Sequence, residues 1–204
     1  MSRWLPLYLR SRRVPAALAA SAGAVAVVAT AWSVLAEDGP VGTGLAVLTV
    51  ALAAAPLAPT LSGTDPALEK TAALPWPPRR IAHLVVCAAI VVGMLAAARI
   101  VGADFGPAEV LLRNAAGLIG LTALGTALAG AGNAWQLPLS WAAVGCFVAA
   151  PGGPEWRQAA LWMVQEPDNR VAAVTAATFA LAGLVAYAVR VGPPVSAAEA
   201  PMEQ

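Results

Sequence analysis

Long apolar runs alternate with short polar breaks along this chain. Six runs can be drawn, about Val14 to Leu35, Val41 to Leu61, Ile81 to Ala103, Ala108 to Ala131, Leu137 to Ala150 and Val171 to Val189. A helix rises about 1.5 Å per residue, so about 20 apolar residues cross a hydrocarbon core of about 30 Å. The fifth run is the shortest, sits near the lower limit for spanning, and runs into Pro151-Gly152-Gly153-Pro154. The pattern predicts an all-α polytopic membrane protein whose six transmembrane helices occupy residues 14–190.

The breaks between the runs have characters of their own. Residues 1–13 place Trp4, Leu5, Leu7 and Tyr8 among arginines, the mix of an amphipathic segment lying in the membrane interface, with Trp4, Arg12 and Arg13 as anchors. Residues 62–80 hold a polar cassette between two apolar runs. Asp65 can cap a short helix that begins with Pro66, and Pro75 ends it because the residue before a proline is biased away from helical angles. Lys70, the only lysine of the chain, lies inside this cassette. Residues 151–168 contain apolar positions at helical intervals from Glu155 to Val164, too few to cross, and predict an extracellular or re-entrant helical element. Residues 191–204 read as a flexible tail.

Composition agrees with the pattern. Hydrophobic residues make up 59% and charged residues 11%, against roughly 25% charged in an ordinary soluble domain. The net charge of +1 and the placement of basic residues at span ends give no reason to expect nucleic-acid binding. Arg10, Arg12 and Arg13 before an Ala-rich stretch resemble a signal peptide, but Val14 to Leu35 is longer than an h-region of about 7 to 15 residues and reads as a retained first span. Arginine and lysine placement orients the spans. With the N-terminus inside, Arg3, Arg10, Arg12, Arg13, Lys70, Arg79, Arg80 and Arg190 fall inside, and Arg99, Arg113, Arg157 and Arg170 outside. Both termini are therefore expected in the cytoplasm. The Ala, Gly, Pro and Arg usage has the look of a high-GC bacterial coding bias, and a bacterial cytoplasmic membrane is the expected location.

Candidate chemistry is sparse. A P-loop needs Gly-Lys-Ser or Gly-Lys-Thr to cradle phosphates, and Lys70 follows Glu69, so nucleotide hydrolysis through a Walker motif is excluded for this chain. Cys87 and Cys146 lie inside apolar runs as small hydrophobes, and no Cys/His spacing suggests a metal. The single histidine, His83, follows Arg79 and Arg80 and reads as an anchor or as a hydrogen-bond partner of a neighbouring loop. Every Asp and Glu falls outside or near the ends of the spans, which disfavours a proton relay. Asn114, Thr122, Thr126 and Asn133 put polar groups along or beside the fourth run, either to pack helices or to line a substrate path. Small residues at Ala116, Gly120, Gly125 and Ala129 suit close helix approach. Arg99 and Arg113 flank Asp104 and Glu109 as a solvated rim.

The stretch Leu68-Glu69-Lys70-Thr71-Ala72-Ala73-Leu74-Pro75, followed by Pro78-Arg79-Arg80, is similar to the coupling-loop sequence of the ABC-2 type permease subunit of ABC transporters, in which a Glu precedes a Leu-Pro-x-x-Arg-Arg lead into the third span. The predicted topology resembles that family over nearly the whole chain: an interfacial N-terminal helix, six spans, a cytoplasmic coupling helix between spans two and three, and a short extracellular element between spans five and six. The resemblance implies a permease moving, and in the exporter sense expelling, a hydrophobic or amphiphilic substrate. It implies that ATP and Mg are bound by separate ATPase subunits, with no cofactor and no enzymatic activity in this chain. Asp65, Leu68, Glu69, Lys70 and Leu74 would dock the ATPase, and Trp76, Arg79 and Arg80 would fix the start of the third span at the membrane face. A second permease subunit, identical or related, is expected as a partner along with membrane lipid. The alternative is a non-transporting membrane scaffold or regulatory subunit.

Overall fold

The computed structural model describes residues 9–10, 12–36, 39–62, 76–148 and 150–189. The proposed docking residues Asp65, Leu68, Glu69, Lys70 and Leu74, the anchor Trp4 and the tail 191–204 lie outside the described residues. Among those described, the chain is all-helical. Helix α1 spans Val14–Leu35, α2 Thr43–Ala54, α3 Trp76–Ala97, α4 Ala108–Ala129, α5 Gln136–Phe147, α6 Glu155–Ala160 and α7 Arg170–Val189.

Prolines and glycines set many of the boundaries. Pro15 in α1 and Pro77 and Pro78 in α3 occupy first turns, where a missing N–H costs nothing. Helix α2 tightens into a 3-10 segment, Ala55–Leu61, because Pro56 and Pro59 cannot donate to the carbonyls four residues back. Gly102, at φ 86°, ends the 3-10 extension Ala98–Val101 of α3 by donating to the Ala98 and Arg99 carbonyls. Asn169 caps α7, its Oδ1 accepting from the Ala172 N–H at 2.9 Å. Arg13 is the one non-glycine at left-handed φ among the described residues, 54°, and turns the chain into α1.

Five stretches are long and apolar enough to cross a membrane: Val14–Leu35, Thr43–Leu61, Pro77–Val101, Ala108–Ala129 and Arg170–Val189. The expected fifth span is different. Helix α5 has 12 residues, about 18 Å, because it starts at Gln136, one residue ahead of the apolar run, and the chain leaves helical geometry at Val148. It nonetheless connects the two ends of the bundle. Ala134, just before it, lies against Gly125 near the end of α4, and Cys146 lies against Gly44 in the first turn of α2.

Helices α4 and α2 form the centre, whereas α1, α3 and α7 present most of their apolar surface outward. Three glycines make close contacts possible at the centre, two of them between backbones and one against a ring. A Cβ on Gly183 of α7 would collide with the Gly120 carbonyl of α4, and one on Gly117 would enter the Trp162 ring. Small residues at such crossings allow the close approach that drives association in lipid. Ser21 of α1 ties that outer helix to α2 by donating to the Ala53 carbonyl at 2.7 Å. The expected pairs of small residues are thus split. Gly120 and Gly125 sit in tight crossings, but Ala129 is exposed.

Charge divides the bundle. Arg10, Arg12, Arg13, Arg79 and Arg80 lie at one end, called here the basic end, and every described carboxylate lies at or near the other.

Candidate functional site

At the basic end four chain segments meet on buried polar groups. Arg12 and Arg80 are 4% and 5% exposed, so their guanidinium groups need partners within the protein. Arg12 Nη1 donates to the Thr60 carbonyl at 3.1 Å and to the Tyr187 hydroxyl at 3.4 Å. Arg80 Nη1 donates to the Tyr187 carbonyl at 3.4 Å, and its guanidinium stands 5.8 Å from the centre of the Tyr187 ring.

The Thr60 hydroxyl donates its single proton to the Leu57 carbonyl at 2.6 Å. His83 Nε2, 3.0 Å from that hydroxyl, is then the donor, which assigns the ring tautomer. Nε2 also faces Cys87 Sγ at 3.7 Å. His83 therefore bonds to the 3-10 segment that continues α2 rather than to a loop.

The placement of this cluster matters more than any one bond in it. Thr60 lies two residues before Ser62, the last described residue ahead of 63–75, and Arg80 lies four residues after Trp76, the first described residue beyond them. Each is bonded to a residue that opens or closes the bundle, Thr60 to Arg12 and Arg80 to Tyr187. Arg12 and Arg80 were singled out by the sequence as interface anchors and are found buried with partners inside the protein, whereas Thr60 and Tyr187 were not singled out. Their sole signal was a polar residue within a turn of a span end.

At the opposite end, α6 and the 3-10 turn Trp162–Val164 form the expected element between the fifth and last runs. It dips into the bundle, since residues 161–165 are all buried. Two neighbouring side chains of α4 hold it. Arg113 donates to the Glu166 carbonyl at 2.8 Å and the Gln165 carbonyl at 2.6 Å, and Asn114 Nδ2 donates to the Met163 carbonyl at 2.8 Å. Gln165 closes the hairpin by accepting from the Gly152 N–H at 2.8 Å and donating to the Leu161 carbonyl at 3.1 Å. Beside this hairpin lies a cleft of about 290 Å³, with Val41, Val47, Phe105 and Leu111 among its walls and Asn114, Gln165 and Glu166 as polar lining. Mostly apolar walls with a few polar groups are the usual chemistry of a small-molecule site.

Of the four residues considered for a substrate path, only Asn114 lines this cleft. Thr122 and Thr126 are buried along α4 and donate to their own helix, to the Leu118 and Thr122 carbonyls at 2.9 Å each. Asn133 lies exposed in the turn before α5. Of the expected rim, Arg99 and Asp104 pair, whereas Arg113 is half-buried and turned to the Gln165 and Glu166 carbonyls instead. Arg99 Nη2 meets Asp104 Oδ1 at 2.8 Å, and the Gly106 N–H donates to the same oxygen at 2.9 Å. The Gly106 bond, with Arg99 adding to it, holds the Asp104 carboxyl below its ordinary pKa.

Among the described residues no group of three His, Cys, Asp or Glu side chains could hold a metal ion. Comparison with protein-family models, curated proteins and solved structures gave no match. The chain is an all-helical, multi-spanning membrane protein by length and composition of its helices.

Proposed function

We propose that this chain is the permease subunit of an ATP-binding cassette exporter of the ABC-2 type, moving a hydrophobic or amphiphilic substrate with ATP hydrolysed by a separate subunit. The observation that carries this reading is the cluster at the basic end. Residues Asp65 to Leu74, proposed as the ATPase-docking segment, lie in the stretch that Thr60 and Arg80 flank, and those two residues are bonded to the outermost helices through Arg12 and Tyr187. A push on that segment from the cytoplasm would be delivered at once to α1, α2, α3 and α7. The mostly apolar cleft at the far end, with Asn114 in its lining, supplies a place for an amphiphile at the other side of the membrane. A second permease chain completes the translocation path.

The test is to purify the protein with a candidate ABC ATPase and measure both recovery and ATP turnover. Charge reversal at Glu69, Glu69→Arg, lowers recovery of the ATPase and its stimulation while leaving the spans folded. An intact, active complex after deletion of residues 65–74 would refute the docking assignment.

A further inference from the structure

The hairpin that walls the cleft also closes its inner end. Along α4 the cleft is lined by Val110, Leu111 and Asn114 and goes no deeper. One turn further on the same face stands Gly117, and the ring of Trp162 lies so close that a Cβ added there would enter the indole. Gly117 is about 14 Å along α4 from Ala108, near the middle of a hydrocarbon core of about 30 Å. The ring therefore separates the cleft from the centre of the bundle.

Trp162 is an unusual residue for a fixed filler. It is fully buried, with its ring against Gly117 and beside Phe179, yet its Nε1–H has no hydrogen-bond acceptor among the described residues. An unpaired buried donor opposes the burial of its own ring, whereas phenylalanine or leucine would fill space there without that penalty. At a membrane interface the same N–H finds partners, which is where tryptophan concentrates. The apolar area of the ring thus favours the seat, and its N–H favours leaving it. Gly152 and Gly153, at φ 84° and 92°, turn the chain into the hairpin with the backbone freedom a pivot needs.

We infer that Trp162 is a withdrawable plug. As the hairpin lifts toward the cleft mouth, the indole leaves Gly117 and the cleft lengthens along α4 toward the middle of the membrane, making room for the alkyl part of an amphiphile. The plug acts on the cleft that the proposed function takes as its ligand site, and so rests on that reading. Its test needs no ATPase, so the plug and the transporter assignment fail separately.

The experiment follows the hairpin in the purified full chain in detergent, with Cys87→Ala and Cys146→Ala removing the native thiols. Met163→Cys places a thiol beside the plug and keeps the bond from Asn114, which is made to the backbone. Leu95→Cys, just as buried but on α3, reports unfolding of the whole. A water-soluble maleimide is expected to label position 163 about tenfold faster than position 95, because local opening outruns global unfolding. Val164→Cys takes the place of Met163→Cys should that variant fail to fold. Exchange of Trp162 for benzothienylalanine, which keeps the bicyclic shape and lacks the N–H, is expected to slow labelling severalfold by removing the donor that opposes the seat. Equal labelling at 163 and 95 would overturn the plug, because the hairpin would then move only with the whole fold. Labelling left unchanged or sped up by the isostere would overturn it equally, because the N–H would then have no part in releasing the ring.

Discussion

Asp104 shows how one side chain can organise a loop at a membrane surface. Its Oδ1 gathers the Gly106 N–H and the Arg99 guanidinium, and Arg99 in turn donates to the Gly106 carbonyl at 2.7 Å. The carboxylate is the form that accepts these bonds, so its pKa is depressed in the folded chain. A depressed carboxyl stabilises the fold above its unfolded pKa of about 4 and loses that contribution as pH falls through the lower folded value. The thermal midpoint of the protein should therefore drop on acidification below about pH 4. Asp104→Asn should lower it at neutral pH and flatten the acid dependence, which a pH series of melting curves will check. The Arg99–Asp104 half of the rim was readable in advance, because an acid and an arginine a few residues apart beside a Gly-rich turn have little choice of partner. Arg113, expected in the same rim, lies elsewhere, since its partners Gln165 and Glu166 are 52 and 53 residues away and are reached through backbone carbonyls that no sequence pattern marks.

At the level of elements, the tightest junction is the crossing of α4 and α7. Gly120 and Gly183 meet backbone to backbone, so any side chain at Gly183 must push the helices apart. Gly183→Leu should destabilise the protein by about 1–3 kcal/mol, the usual range for overpacking, and denaturation in mild detergent will measure it. Ala182→Leu, an exposed neighbour, serves as the control. The four-residue spacing of small residues announced Gly120 as a packing position, but nothing in α7 alone singled out Gly183 among its many alanines. The short α5 has a similar lesson. Its apolar run suggested a span, yet the helix ends at Phe147, short of the Pro-Gly-Gly-Pro stretch, and has only 12 residues. Length was legible as marginal from the sequence. How the helix still reaches from α4 to the first turn of α2 depends on the Gly125 and Gly44 contacts, which are tertiary facts.

Across the whole molecule, the basic end behaves as a clasp and the opposite end as an open cleft. Replacing Arg12 by Gln removes the charged donor shared by Thr60 and Tyr187 while keeping much of the bulk. In the proposed transporter, Arg12→Gln should leave ATPase recovery intact and lower substrate-stimulated ATP turnover, a split that pull-down and turnover assays together will reveal. Loss of recovery along with turnover would place Arg12 in the docking surface itself. The run of six apolar segments and the charge bias made the general architecture legible. The clasp was hidden because it joins residues from both ends of the chain. Arg12 and Tyr187 are 175 positions apart. During synthesis at about 5–20 residues per second, α1 waits on the order of 10 seconds or more before its closing partner exists. Until then the Arg12 guanidinium lacks the Tyr187 hydroxyl. Closure of this contact is thus a completion signal built into the fold, and a chain cut short before Tyr187 would carry the mark of an unfinished protein.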